Sequence, residues 1–333
     1  MSETDLHRLA DRLGRSPFFL RRLREAALSP WDLQRPADLE AFPQLSRGDL
    51  VEHPFDALGL RAPDELDGAV WAWSKGSTGP PLAVVRTRAD LDARWALHRR
   101  IAAAHGVDPD ELRRGAFLCA LPSRPEYRTW ADGARTVPVE RISLLREGAL
   151  ERLAAARPDF WSLSPAGLRR LLASPRHLRP RIVFSTALWL SPDLRVAASA
   201  ALGCPIANVY SMAETGPLAF ECPSTAGAFH VLTPEIHLEL AQGRLLVTRL
   251  TDALLPLLRY RIEDQVSALV EACACGYRGA TLVGLAGRSS FPVQRAAWPI
   301  SDKIPARSAG DTSYQGRSGG GRPEASSAEI SSK

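Results

Sequence analysis

Three stretches of the chain hold residues whose types and spacing fit chemistry on a nucleotide. Trp73-Ser74-Lys75-Gly76-Ser77-Thr78-Gly79-Pro80-Pro81 follows a short apolar run and is built of small and hydroxyl-bearing residues. Such a loop can wrap backbone N–H groups and hydroxyls around phosphate oxygens. Val209-Tyr210-Ser211-Met212-Ala213-Glu214-Thr215-Gly216 places an aromatic ring four residues before a carboxylate. A ring to face a base and a carboxylate to hold Mg²⁺ are what a site using ATP needs. The third stretch runs from Leu257 through Arg259-Tyr260-Arg261 to Asp264. A carboxylate there can accept hydrogen bonds from both hydroxyls of a ribose, and an Arg/Asp pair bracing a hairpin explains it equally well.

Each stretch has a plainer reading when taken singly. A Gly/Ser/Thr/Pro cluster between strands is a turn signal, and Ser74–Pro81 is not a Walker loop, because Pro80 follows Gly79 where that motif has lysine. Tyr210 reads as core, and Glu214 as a solvated loop charge. His53, His98 and His105 fall on predicted helices or turns, where surface or capping roles are expected. No Ser–His–Asp arrangement stands out, so nucleophilic hydrolysis has no support.

The cysteines divide into two groups. Cys119 and Cys204 lie in apolar surroundings and read as core. Cys222, His230, Cys273 and Cys275 offer thiolate and imidazole ligands of the kind that close a tetrahedral structural Zn²⁺ site. Buried thiols beside a surface histidine would give the same sequence, and the Cys-x-Cys spacing is tighter than the usual Cys-x-x-Cys knuckle.

These residues need a scaffold to bring them together. Up to about Leu60 the pattern is helical, with Leu6, Leu9 and Leu13 on one face and Pro17, Pro30, Pro36 and Pro43 as breaks, giving a helical N-terminal cap over residues 1–60. From Ala69 short apolar strands, Ala69–Trp73, Leu82–Arg86, Ala116–Leu121, Arg181–Ser185 and Pro205–Tyr210, are separated by helices. One helix opens at Thr87 with Asp90 as its capping partner and stops before Gly106. This alternation predicts an α/β core over 61–225, a mostly parallel sheet flanked by helices. Ile236–Leu240, Arg244–Thr248 and Gln265–Glu271 read as antiparallel strands of a β-rich subdomain over 226–288. Residues 289–333 are rich in Ser, Gly, Pro and Ala and read as a disordered tail.

Composition narrows the class further. At 333 residues, 45% apolar, the chain can bury a sizeable core. No apolar run reaches the roughly 20 residues of a membrane span, and the charged amphipathic start is not a signal peptide. A cytoplasmic, reducing location is expected from this and from the odd cysteine set. The net charge of +5 is carried by scattered arginines, with no basic stripe interleaved with aromatics. Neither nucleic acid nor membrane is expected as a partner.

Taken in order, the segments resemble the phenylacetate–CoA ligase and coenzyme F390 synthetase-like branch of the adenylate-forming (AMP-binding) superfamily. The resemblance rests on Phe42–Leu50, the Ser74–Pro81 loop, Tyr210–Gly216 continuing to Cys222, Gly227–His230, Pro234–Ile236, Gly243–Asp264, Cys273–Gly276 and Gly287–Ser289, which run collinearly. It implies the fold of that superfamily's large N-terminal domain and ATP-dependent activation of a carboxylic acid, aromatic acids included, to an acyl-adenylate. By position, Ser74, Lys75, Gly76, Ser77, Thr78 and Gly79 would hold the ATP phosphates, with Thr78 and Glu214 catalytic. Glu214 would bind Mg²⁺, Tyr210 would lie against adenine, Asp264 would hold the ribose and Arg288 would stand at the hinge to a mobile C-terminal domain. The cysteine and histidine set is similar to a zinc-binding pattern in some relatives.

The chain departs from the family at several of these places. The family carries a lysine where Pro80 stands, a hydroxyl residue at Ala213 and a glycine-containing acidic segment at Ser185-Thr186-Ala187. Beyond Arg288 it continues into a domain of roughly a hundred residues, which this sequence is read as lacking. Adenylation is therefore the primary expectation, with transfer to coenzyme A requiring that domain or a separate domain or carrier protein. The rival is a nonenzymatic binding or scaffold remnant of the same fold.

Overall fold

The N-terminal segment is helical because caps, apolar stripes and prolines recur in register. In the computed structural model, which describes residues 2–74, 80–120, 127–130, 137–173, 178–241 and 243–288, α1 (Glu3–Gly14) starts from a capping box between Ser2 and Asp5. α2 (Pro17–Glu25) starts from Ser16 with Pro17 in its first turn, and α3 (Arg47–Glu52) from a second capping box, Ser46 with Asp49. Leu6, Leu9 and Leu13 are buried together with Phe18, Phe19 and Leu23. Arg12 ties these helices to later segments, its Nε donating to Asp252 at 2.7 Å and its Nη1 to the Gly59 carbonyl at 2.8 Å.

β1 (Val70–Trp73) and β2 (Ala83–Arg86) pair antiparallel as a sheet of their own, so these two expected strands are not members of the parallel sheet. α4 (Arg88–Ala104) follows from the expected Thr87/Asp90 capping box and ends at His105, with Gly106 at φ +75°. His98 differs from its expected surface role. It sits on the buried side of α4, its ring edge-on to Phe184 at 5.0 Å and its Nδ1 donating to the Arg94 carbonyl at 2.8 Å.

The α/β alternation then follows: β3 (Gly115–Cys119), β4 (Tyr127–Trp130), β5 (Pro138–Ser143), α5 (Ala149–Ala156), β6 (Phe160–Leu163), α6 (Pro165–Leu172), β7 (Ile182–Ser185), α7 (Pro192–Leu202) and β8 (Ile206–Met212). β5, β3, β6, β7 and β8 are parallel in that order, with β4 antiparallel at the edge. Both faces of β3, β6 and β7 are largely buried, because successive side chains point to opposite sides and each side is covered. Phe160, Ile182 and Phe184 join the core that includes Trp95 of α4, while Trp161 and Val183 join the core that includes Leu153, Leu168 and Leu194 of α5, α6 and α7.

β9 (Gly216–Glu221) and β10 (Ala228–Val231) continue the sheet antiparallel from β8. β11 (Ile236–Ala241), β12 (Arg244–Arg249) and β13 (Tyr260–Ile262) form a separate antiparallel sheet, and β14 (Asp264–Gln265) pairs with β17 (Gly287–Arg288). β15 (Ala268–Ala272) and β16 (Arg278–Val283) return to the large sheet beside β10. The sequence groups Gln265–Glu271 with the strands of β11 and β12. The structure separates them, because β16 finds its partner in β10 and draws β15 to the edge of the large sheet. Its full order is β15-β16-β10-β9-β8-β7-β6-β3-β5-β4. The mostly parallel half agrees with the expected fold class. The segment expected as a tail from residue 289 lies outside the described residues. Among the described residues no helix is long and apolar enough to cross a membrane.

Candidate functional site

β8 carries Tyr210 to the carboxyl end of the parallel strands, where open α/β sheets bind ligands. A register shift at Tyr210 and Ser211 marks the point where β8 leaves regular pairing with β9. Tyr210 is half-buried, and its hydroxyl donates to Asp264 Oδ2 at 2.7 Å across 54 residues of sequence. Asp264 pairs through its backbone with Arg288, which sets that residue opposite it. Where the sequence leaves an Arg/Asp brace as the alternative for Asp264, the structure gives it a tyrosine partner that the sequence did not point to, while Arg259 pairs with Glu239 and Arg261 with Glu263.

Glu214 occupies the turn between β8 and β9. It is 4% exposed, so it is not a solvated loop charge. The Tyr260 hydroxyl of β13, itself buried, donates to Glu214 Oε1 at 2.6 Å. Tyr260 was visible only as the centre of an Arg-Tyr-Arg triplet, with no local sign that it would meet a carboxylate 46 residues earlier.

Three arginines converge on the same turn. Arg86 and Arg94 donate to the Ala213 carbonyl at 2.7 and 3.0 Å, and Arg249 lies 3.4 Å from the Glu214 carbonyl. Gly216 makes room for this. Its φ is +80°, and a Cβ there would fall 2.9 Å from Arg94 Cζ, so an alanine would be both strained and overlapped. Burial pushes the Arg94 guanidinium well below its ordinary range, and the like charges of Arg86 and Arg249 push the same way, against Asp90 and Glu214. None of these arginines was singled out from sequence. The only local signal was the spacing of Asp90 and Arg94, one turn apart on α4, which ordinarily reads as a surface pair.

The phosphate-loop candidate lies in sequence between β1 and β2, and only its two ends are described. Ser74 Oγ accepts from the Leu82 N–H at 3.0 Å and from Arg47 Nη2 at 3.1 Å, and Arg47 also donates to the Pro80 carbonyl. The loop is therefore anchored at both described ends by α3. Lys75, Gly76, Ser77, Thr78 and Gly79 lie outside the described residues.

A second constellation forms at the other end of β9. Glu221, buried, accepts from Asn208 Nδ2 and the Gly227 N–H, both at 2.9 Å, and pairs with Arg195 at 3.1 Å, which fixes the β9–β10 turn. Cys222 follows directly, His230 comes from β10, and Cys273 and Cys275 from the turn between β15 and β16. The four ligand atoms lie within 4.8 Å of one another, with Cys275 Sγ 3.5 Å from His230 Nε2. A tetrahedral zinc with bonds near 2.3 Å to sulfur would set its ligand atoms roughly 3.7 Å apart, so the donor set and its spacing fit that ion. Tyr277 stacks on the His230 ring at 4.2 Å and would orient the imidazole, a supporting role the sequence did not reveal. Cys119 and Cys204 are buried away from this group, as expected.

No protein-family model matches the chain. Over 298 residues it is 28% identical to a phenylacetate-coenzyme A ligase of Thermus thermophilus, an alignment covering 83% of this chain and 66% of that protein. The phenylacetate-coenzyme A ligase of Escherichia coli is 28% identical over 279 residues, 74% of this chain and 62% of its own. Among solved structures, a 2-hydroxyisobutyryl-CoA ligase in the postadenylation state superposes with a TM-score of 0.66 at 18% identity, covering 86% of this chain and 67% of that one. The chain thus resembles the phenylacetate–CoA ligase branch in sequence and has the fold of an adenylate-forming ligase. It spans less than two thirds of the length of these two curated relatives, at 66% and 62%.

Proposed function

We propose that this chain activates a small carboxylic acid with ATP, aromatic acids being the first candidates. A carboxylate oxygen attacks the α-phosphorus, the bond from that phosphorus to the pyrophosphate oxygen breaks, and an acyl-adenylate and pyrophosphate result. The observation that supports this reading best is the meeting of Tyr210 with Asp264, 2.7 Å apart, with the buried Glu214 in the turn that follows the strand of Tyr210. In this proposal Asp264 accepts from the ribose hydroxyls, the Tyr210 ring faces adenine, and the Ser74–Gly79 loop, with Thr78 foremost, receives the phosphates. Glu214 is a hard oxygen donor suited to Mg²⁺, which when bound would neutralise charge on the polyphosphate. Arg288 is assigned to the hinge region. Most of the catalysis would come from positioning and charge stabilisation. These residues serve the adenylating half of an acid–CoA ligase reaction, and transfer to coenzyme A is not assigned to them.

The four-residue knuckle is assigned a structural zinc on the strength of its donor set. With all four ligands from protein, no position is left open for chemistry.

Exchange of labelled pyrophosphate into ATP, dependent on added acid, is the direct test of adenylation. Aromatic and short aliphatic acids should be screened with the unaltered chain. Glu214→Ala should reduce the exchange by about a hundredfold or more, since the pyrophosphate loses its metal anchor. Full exchange in that variant would refute the role of Glu214. Adenosine binding with no exchange for any acid would favour the alternative, a binding module that keeps the fold without turnover.

A further inference from the structure

Glu214 is a buried carboxylate with no ion-pair partner. The arginines around its turn donate to main-chain oxygens, Arg86 and Arg94 to the Ala213 carbonyl and Arg249 to the Leu255 carbonyl. Arg94 is near enough for the two charges to act on each other, yet among the described residues no cationic group forms an ion pair with the Glu214 side chain. The one hydrogen bond described for that side chain comes from a neutral donor, the Tyr260 hydroxyl, at 2.6 Å to Oε1. Buried charges are ordinarily paired or coordinate a metal ion, so Oε2 is the oxygen left for an incoming cation. The phenol that holds Oε1 is itself fixed from both sides. Val247 of β12 pairs with Tyr260 on one edge. On the other edge Leu45 bridges to Tyr260, its N–H donating to the Arg259 carbonyl at 3.1 Å and its carbonyl accepting from the Arg261 N–H at 2.8 Å.

We propose that Tyr260 sets the metal preference of the nucleotide site: by occupying Glu214 Oε1 it makes Glu214 a one-oxygen ligand, which suits Mg²⁺ bound to ATP and disfavours Ca²⁺. This rests on the adenylating reading above, in which Glu214 meets the metal. The two ions use carboxylates differently. Mg²⁺ demands a small octahedral shell and keeps water and phosphate oxygens in most of it, whereas Ca²⁺ takes more oxygens and accepts both oxygens of one carboxylate. A carboxylate with one oxygen already committed to a fixed phenol cannot offer that second bond without breaking the first. Tyr260 is a positioning residue in this role, acting only through the carboxylate it bonds. Its place in β13, set by β12 and Leu45, keeps the hydroxyl from swinging aside when a cation arrives.

Titration calorimetry of the full chain with adenosine, and with ATP in saturating Mg²⁺ or saturating Ca²⁺, separates the possibilities. The unaltered chain should bind MgATP more tightly than CaATP. Tyr260→Phe keeps the ring and releases Oε1, so the preference for Mg²⁺ over Ca²⁺ should fall about tenfold, roughly the worth of one hydrogen bond to a charged group, with adenosine affinity unchanged within about twofold. In a Glu214→Gln background Tyr260→Phe should leave the preference where Glu214→Gln alone puts it. An unchanged preference in Tyr260→Phe would overturn the proposal, and an equal loss for MgATP, CaATP and adenosine would do the same by making Tyr260 a support for the fold alone. Where Tyr260→Phe does not fold, the unaltered chain still decides, since CaATP bound as tightly as MgATP would refute a one-oxygen ligand. That result would leave the adenylating reading standing. ATP bound equally with and without divalent metal would instead remove Glu214 from the metal, and binding of neither ATP nor adenosine would bring down the adenylating reading; this proposal falls with either.

Discussion

Replacing Asp264 by Asn tests the nucleoside pocket at its most specific contact. The carboxylate accepts from the Tyr210 hydroxyl at 2.7 Å, the length of a charge-assisted O–H···O⁻ bond. Hydrogen bonds to charged groups contribute about 1.5–3 kcal/mol each, and an amide retains one accepting oxygen without the charge. If Asp264 holds two ribose hydroxyls, Asp264→Asn should lose about 1.5–3 kcal/mol of adenosine binding, or roughly ten- to a hundredfold in Kd. Tyr210→Phe keeps the ring and removes one donor from the carboxylate, so it should cost less than about fivefold. The decisive ligand is 2′,3′-dideoxyadenosine, measured by calorimetry against both proteins. It has no hydroxyls to offer, so Asp264→Asn should leave its affinity unchanged, and the double comparison isolates the ribose contact. If the variant weakens the dideoxy compound as much as adenosine, Asp264 acts by holding Tyr210 in place, and its assignment to the ribose is wrong.

Two further outcomes are expected. Purified protein should contain about one zinc per chain, and cobalt substitution should give the absorption of a tetrahedral thiolate site; Cys273→Ser should lose stoichiometric metal and melt at a lower temperature. Protein that never acquires metal in zinc-supplemented medium would remove the zinc assignment. Burial lowers the His98 imidazole from 6.5 to about 4, more than its bond to the Arg94 carbonyl offsets. The unfolded chain takes up this proton at higher pH than the folded chain does. The stability tied to His98 is therefore complete above pH 6.5 and is lost as pH falls toward 4, by up to about 3 kcal/mol. Urea unfolding at several pH values should show a shallower acid decline for His98→Gln than for the unaltered chain, and parallel declines would contradict the buried, neutral imidazole.

Several elements could be read locally because their causes are local. The capping boxes Ser2/Asp5 and Thr87/Asp90 involve residues within one helical turn, and both form as the sequence implies. Strands such as Ile182–Ser185 read as continuous apolar runs because neighbouring side chains enter two different cores. Cys222, His230, Cys273 and Cys275 could be grouped from donor chemistry, and the fold brings their ligand atoms within 4.8 Å of one another. His98 was misjudged because its position on a polar-looking helix says nothing about Phe184, which meets it from another strand.

By itself, then, the sequence determined the capped helices, the apolar strands and the three peptides whose side chains suit a nucleotide. Only the tertiary structure decided that Tyr210 touches Asp264, that Tyr260 closes over Glu214, and that arginines from β2, α4 and β12 gather behind one turn. The division has a physical cause. Caps and periodicity depend on neighbours a few positions away, whereas the burial of a charge and the choice of its partner depend on which distant segments the packed sheets bring against it.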